Sequence, residues 1–582
     1  MKTIQGQAPR WFHYCFLLSA AAFLYFDVFV PPATPIFFNV DHLNDLHNAT
    51  RMLDGQMIYR DFFQIIPPGT ELVYLALFRV FGVRAWAPNL MLVMLGLSLT
   101  WLCTFMSGKI LSGFTAYLPS LLFLLIAFHS DLDATHHWYS VLAVTSALAL
   151  VVEKRSPKRL AGAAALCALA SFFTQVRGVL AVVALAIFLW WEHRKMRQSR
   201  QSLWKAEVIL ASSFGAVTVA LNQYFIRAAG WQRFLWCTVT FGSKYYSADA
   251  PSNSLQAYMA FMPTGAHGYD LTALLPWVFI HALVPFVYLL FFARFWSESK
   301  KNPDQPWDRL MLLSLVGFFL FVGVAPAPGY GRLGKASLPG LIILGWFLSS
   351  HGKLPSLARQ ALWLGAVFML ARFALHRQTK EWAYLDTPVG RVAFFDPVDR
   401  DRYEWLLSHT RRSQPYFDSS GDTYFLLGLK SPAEISFLSK TDYTRPDQVR
   451  NLVESLEEQH VPLVLWDPHL DPGDHGRQVG DNLEPLRDYL QTHYHVVKVF
   501  EDSRLLERSD SPVKGTSSKT PVPGPDPHPP TRKCWRGVIL SLLYARLIRG
   551  TAPRLAREWS LLANDDQGQS VRISIRTRAP AG

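Results

Sequence analysis

Long apolar runs broken by short charged stretches dominate residues 11–376, and polar and apolar positions are mixed on a much shorter scale afterwards. The runs are 11–30, 87–108, 112–129, 137–153, 159–175, 177–192, 206–225, 270–293, 309–326, 337–351 and 357–376. A helix of about 20 apolar residues crosses the hydrocarbon of a bilayer, so the pattern predicts about eleven transmembrane helices. Thr70 to Gly82 (TELVYLALFRVFG) is apolar but too short to cross, because helical rise is only ~1.5 Å per residue against a core of ~30 Å. It is expected as a juxtamembrane or re-entrant helix, with Pro67-Pro68-Gly69 holding the preceding loop at the interface. Leu43 to Leu53 is expected as a short surface helix with Asp41 at its positive, N-terminal end.

Past residue 386 the periodicity changes. Arg391–Phe395, Pro415–Asp418, Glu434–Leu438, Pro462–Trp466 and Val496–Phe500 read as strands. Arg400–Thr410, Arg445–His460 and Asn482–His493 read as helices between them, which predicts a small α/β domain with a mainly parallel sheet. From Ser509 the chain is rich in Pro and Ser and reads as a disordered linker. The final basic stretch carries an apolar piece, Gly537–Ile548, too short and too basic to span. The organisation is therefore a transmembrane domain over 1–385, an α/β domain over 386–508, and a linker with a basic, disordered tail over 509–582.

Composition agrees with a membrane protein. Only 17% of the residues are charged, against ~25% in ordinary soluble domains. The net charge of +13 does not imply a nucleic-acid partner, because the basic residues fall in alternate loops. With a cytoplasmic N-terminus, the inside loops carry Lys109; Lys154, Arg155, Lys158 and Arg159; Arg194, Lys195, Arg197, Arg200 and Lys205; Arg294, Lys300, Lys301 and Arg309; Lys353 and Arg359. The loop over 31–69 and the α/β domain then lie outside, as for a multi-pass protein of a bacterial inner membrane with both in the periplasm. The first run is too long for a signal-peptide core and is read as an uncleaved span. The five cysteines show no CxxC spacing, so neither a disulfide framework nor a zinc site is indicated. Walker A and GxGxxG patterns are absent, which argues against an ATP-driven pump or a dinucleotide enzyme.

The candidate chemistry lies in the loop after the first run, where Asp41, Asp45, Asp54 and Asp61 precede the Pro-Pro. A carboxylate within hydrogen-bond reach of a hydroxyl can act as a general base, and Asp41, Asp45 and Asp61 are the candidates. His136 and His137 follow Asp131 and Asp133 in the next external loop and are read as substrate contacts or as part of an interfacial belt with Trp138 and Tyr139. Adjacent histidines point about 100° apart on a helix, so no metal site is assigned and no cofactor is expected. Asn48-Ala49-Thr50 is a glycosylation sequon by pattern and is read as chance.

The order Asp41, Ala49, Met52-Leu53, Gly55, Tyr59, Asp61, Pro67-Pro68 and Phe81-Gly82 resembles the GT-C glycosyltransferases, in the branch of protein O-mannosyltransferases and bacterial aminoarabinose or other lipid-linked sugar transferases. The resemblance covers roughly residues 11–376 and is most specific in the first hundred. Asp41 matches the catalytic position, and His42 stands where the branch often has Glu. What the resemblance implies is a polyprenyl-phosphate sugar donor, an acceptor that is a glycan, lipid or protein, and transfer at the external face of the membrane. It also implies cations for the leaving phosphate. Arg332 and Lys335, in the Gly/Pro-rich loop before the run at 337, are the first candidates, with Arg177, Arg60 and Tyr59 beside them. Two other classes fit a polytopic chain: a transporter or flippase of lipid-linked sugars, and a non-catalytic scaffold of envelope assembly. The lack of an internal repeat and of midplane charges disfavours the transporter.

Overall fold

The computed structural model describes residues 9–37, 40–197, 199–246, 277–324, 329–349, 353–472, 481–509, 560–564 and 570–574. Its helices begin with α1 (Arg10–Val28), α2 (Val40–Leu53), α3 (Gly69–Phe81), α4 (Trp86–Ser107), α5 (Gly113–Phe128) and α6 (His136–Val151). They continue with α7 (Pro157–Phe173), α8 (Gln175–Lys195), α9 (Arg200–Ala229), α10 (Phe279–Glu298), α11 (Trp307–Val324), α12 (Tyr330–Ala336), α13 (Leu338–Leu348) and α14 (Lys353–Thr379).

The described parts of all eleven apolar runs thus fall mainly on helices; residues 270–276, 325–326 and 350–351 of three runs lie outside the described residues. Among the described residues, seven helices are long and apolar enough to cross a bilayer: α1, α4, α8, α9, α10, α11 and, over Pro355–Thr379, α14. The remaining four, α5, α6, α7 and α13, have 11 to 17 residues. Local causes are visible for two of them. α5 starts as a 3₁₀ turn, has Pro119 at the start of its short α-helical middle, and ends in a π turn over Phe123–Phe128. α13 follows directly on α12, with a break at Ser337 before Pro339. α3 has the predicted thirteen residues, starting after Pro68 and stopping at Gly82, whose φ of 73° is the left-handed conformation glycine accepts most readily.

The last transmembrane helix ends on the face where α1 ends. Gln378, in the last turn of α14, donates from Nε2 to the carbonyls of Phe26 (2.6 Å) and Phe29 (2.7 Å) at the end of α1. Beyond it, β1 (Thr34–Pro35), β2 (Ala383–Thr387) and β3 (Gly390–Phe394) form a three-stranded sheet in the order β1-β3-β2. The strand predicted at 391–395 therefore pairs with the loop after α1 rather than with the core sheet of the α/β domain.

That core sheet contains β4 (Phe417–Asp418), β5 (Leu463–Trp466), β6 (Tyr494–Val499) and β7 (Arg504–Arg508), in the order β4-β5-β7-β6. The expected mainly parallel sheet is mixed instead: only β4 and β5 run parallel. The link between β6 and β7 is a short turn, and a parallel crossover needs a dozen residues or more. α15 (Pro397–His409), α16 (Pro446–Glu458) and α17 (Glu484–His493) fall on the predicted helices. The sheet, α16 and α17 share a core of Phe417, Val449, Leu452, Val464, Leu486 and Leu490. Glu434–Leu438 is no strand, because its backbone is spent elsewhere: Glu434 O accepts from Phe63 N and Leu438 N donates to Ser419 O. In the tail, β8 (Ser560–Asn564) and β9 (Ser570–Ser574) form an antiparallel hairpin, while the Pro/Ser linker and Gly537–Ile548 lie outside the described residues.

Candidate active site

α2 is strongly amphipathic, and its spacing puts Asp41 and Asp45 one turn apart on one face. Asp41, in the first turn, is half-buried. Asp45 is fully buried. Its carboxyl is held well above the usual range by that burial, then by the charges of Glu71, Asp41 and Asp133, against a backbone hydrogen bond from His136. Glu71, in the first turn of α3, is also buried and is pushed up to about 7 by burial; Gln64 Nε2 donates to it at 3.1 Å. His42 lies beside them, its Nε2 3.4 Å from the hydroxyl of Tyr74, which donates to Ala134 O at 2.6 Å. Burial, then the nearby Lys335 charge, lowers His42 to about 3, so the imidazole is neutral.

A cationic half faces this acidic half. Lys335, on α12, is buried between Asp131 Oδ2 (2.7 Å) and Asp133 Oδ1 (2.8 Å). Burial alone would lower its pKa; the two carboxylates override that and raise it. The approach is close enough that a Cβ on Gly331 would meet Asp131 Oδ2 at 2.0 Å, so any side chain there would push Asp131 off Lys335. One turn before Lys335, Arg332 donates from Nη2 to the hydroxyl of Tyr246 at 3.0 Å. Arg177, at the start of α8, donates from Nη1 to His137 O and Ser140 Oγ, both at 2.7 Å. The charges of Arg177, Arg332 and Lys335 all reach the His136–His137 pair, whose rings are 4.0 Å apart. Among the described residues, Nδ1 of His42, His136 and His137, Oδ2 of Asp45 and Oε2 of Glu71 are buried with no hydrogen-bond partner.

The α/β domain supplies the third side. The Tyr443 ring packs on Phe241 (5.2 Å) and lies 6.2 Å from Tyr246. Burial, then the charge of Asp41, raises the Tyr443 phenol well above its usual value and keeps it neutral. Asp41, Tyr443, Tyr246 and Arg332 therefore follow one another across the site.

Of the candidates from sequence, Asp41, Asp45, His136, His137, Arg177, Arg332 and Lys335 are brought together. Tyr59, Arg60 and Asp61 are placed elsewhere. Tyr59, at φ 70°, is buried against Phe225 and Phe234, and its hydroxyl donates to Ile66 O at 2.8 Å. Arg60 pairs with Asp61 at 2.7 Å, and Asp61 also accepts from Met57 N at 2.7 Å. Asn48 of the sequon is buried against Glu71 and offers no accessible acceptor nitrogen. Among the described residues, no group of three or more His, Cys, Asp or Glu is arranged to hold a metal ion. Glu71, Tyr246 and Tyr443 were missed from the sequence. A carboxylate in a thirteen-residue apolar helix was the available signal for Glu71; the two tyrosines gave none.

No protein-family model and no curated protein matches this sequence. Solved structures do. ArnT from Cupriavidus metallidurans in the apo state is 12% identical with a TM-score of 0.52, over 85% of this chain and 97% of ArnT. The same protein bound to undecaprenyl phosphate is 14% identical with a TM-score of 0.49, over 87% of this chain and 99% of ArnT. The arabinofuranosyltransferase AftD from Mycobacteria is 13% identical with a TM-score of 0.45, over 87% of this chain and 40% of AftD. The chain is an integral membrane protein of GT-C-like fold, with a small α/β domain following its transmembrane helices.

Proposed function

We propose that this protein is a glycosyltransferase that moves a sugar from a polyprenyl-phosphate donor to an acceptor hydroxyl, at the external face of the membrane. The observation that carries the reading is the meeting, on one face, of a carboxylate helix with a cluster of cations. Acid–base work on the acceptor and charge work on the leaving phosphate need those two halves side by side. ArnT, whose fold the chain shares, also has a structure bound to undecaprenyl phosphate, a ligand of the donor class proposed.

Asp41 is the general base. Asp41 is half-buried in the first turn of α2, one turn from Asp45 and facing the cationic half, whereas Asp45 and Glu71 are desolvated toward their neutral forms and Asp131 and Asp133 are paired with Lys335. It takes the proton of the acceptor hydroxyl as that oxygen bonds to the anomeric carbon. The bond from that carbon to the phosphate oxygen breaks, and the polyprenyl phosphate departs with the electron pair. Arg332, with Arg177 behind it, stabilises the charge on that phosphate. Lys335, neutralised by its two carboxylates, is a positioning residue that holds α12, and so Arg332, against the 131–133 loop.

The test is Asp41→Asn in the purified protein with a lipid-linked sugar. A loss of 10²- to 10⁴-fold in kcat is expected, the range typical of general-base removal. Unchanged transfer rules out Asp41 as the base, and lipid moved across the bilayer without a new sugar linkage favours a flippase.

A further inference from the structure

A second site lies at the other end of α1. Phe12, in the first turn of α1, lines a cavity of ≈ 1200 Å³. The loop that carries Asp41 follows the other end of that helix, about 24 Å from Phe12 at ~1.5 Å per residue. The cavity is thus a membrane thickness from the candidate active site and shares none of its residues.

Its walls combine two guanidinium groups with indoles and amides. Arg359 donates from Nη1 to Leu348 O (3.1 Å) and from Nη2 to Ser356 Oγ (3.5 Å). Arg294 shares its Nε with Glu298 at 3.0 Å and lies over the Trp346 ring at 4.9 Å. A guanidinium has five N–H donors, so these bonds leave donors on both arginines for a ligand. Trp346 Nε1 donates to Gln305 Oε1 at 3.3 Å, while the buried Trp363 Nε1 has no hydrogen-bond partner among the described residues. Among the described residues, no acidic residue lines the cavity. Arginines at a membrane boundary often only snorkel to water. Here both line one recess together with two indoles, and basic recesses between transmembrane helices are where anionic headgroups bind.

We propose that this cavity binds a phosphate-bearing anionic group, and that its source is the headgroup of a membrane glycerophospholipid. The phosphate would take the arginine donors and the indoles would line the headgroup boundary, leaving the acyl chains along the apolar helix surface. The proposal does not depend on the catalytic reading.

The test uses the full-length protein in detergent, with melting temperature read against added dihexanoyl phosphatidylglycerol, dihexanoyl phosphatidylcholine or inorganic phosphate. We expect a saturable rise with phosphatidylglycerol, a smaller one with phosphatidylcholine and none with phosphate. Arg294→Gln with Arg359→Gln should weaken the phosphatidylglycerol response about tenfold or more, as expected for loss of charge-assisted hydrogen bonds. Trp363→Phe keeps an aromatic ring, loses the N–H, and serves if the double variant does not fold; it should weaken the response several-fold. Asp41→Asn should respond as the natural protein does. Equal responses to the two lipids, or unchanged responses in both sets of variants, overturn the proposal. A full response to inorganic phosphate alone makes this a free-anion site and overturns the lipid assignment.

Discussion

At the scale of single residues, burial decides which groups in the site carry charge. Glu71 is raised from its ordinary 4.5 to about 7 by burial, so the folded protein holds its proton more tightly than the unfolded chain does. A raised carboxyl contributes stability that is complete below about pH 4.5 and is lost as pH rises through about 7. That contribution is of order 3 kcal/mol. Melting temperature in detergent should therefore fall between pH 5 and pH 8, and Glu71→Gln should flatten that fall. A Glu71→Gln protein with the natural slope would show that Glu71 is ionised throughout. Arg332 makes a different prediction, because the proposed function places it on the phosphate of the donor. Arg332→Ala should lower kcat/KM for the lipid-linked sugar by 10- to 100-fold, a loss of about 1.5–3 kcal/mol as for one charged hydrogen bond. Arg332→Lys should recover part of that loss. Equal kinetics in the alanine variant would move the phosphate site elsewhere.

At the scale of elements, one buried ionic contact joins the first and last apolar helices. Asp27, in the last turn of α1 and fully buried, lies 2.9 Å from His129 Nδ1 and 3.7 Å from Arg377 Nε on α14. His129 stacks on Phe373 of α14 at 4.0 Å. Removing one partner of a buried pair leaves the other without compensation, which costs about 3–5 kcal/mol. Asp27→Ala should lower the melting temperature markedly. A variant that melts like the natural protein would mean that packing alone joins these helices. None of this was visible in the sequence, where Asp27 is one acid near the end of an apolar run and Arg377 lies 350 residues away. What was legible followed from period and length: the apolar runs became helices, and thirteen residues after Pro67-Pro68 became a short helix. Asp41 and Asp45 were legible as neighbours because a helix fixes the relation of i and i+4. Lys335 between Asp131 and Asp133, and Tyr443 beside Asp41, were not, because local pattern says nothing about which distant loops meet. The same limit explains the segment 434–438, whose strand-like pattern serves contacts with α2 and the loop after it.

At the scale of the whole transmembrane and α/β assembly, α2 is the shared part. One of its faces carries Asp41 and Asp45 toward the cations. Another is covered by the α/β domain: Ser436 Oγ donates to Asn44 Oδ1 at 2.7 Å, His47 stacks on Tyr424 at 4.2 Å, and Arg51 Nη2 donates to Ala433 O at 3.0 Å. The surface pair Lys430–Asp54, half-exposed on both sides, adds little. The buried polar contacts are what fix the register of α2 beneath the domain, because each unmade one would strand a desolvated group. The domain is therefore expected to act as a clamp on α2, the helix that carries the proposed base. Asn44→Ala with Ser436→Ala removes both partners of one buried bond, so it loosens the clamp without leaving an unpaired group; the expected cost is about 1 kcal/mol. Amide hydrogen exchange over Val40–Leu53 should quicken, exchange in α4 should stay as it was, and sugar transfer should slow. Faster exchange in α2 with full transfer activity would show that the domain covers the site without positioning Asp41.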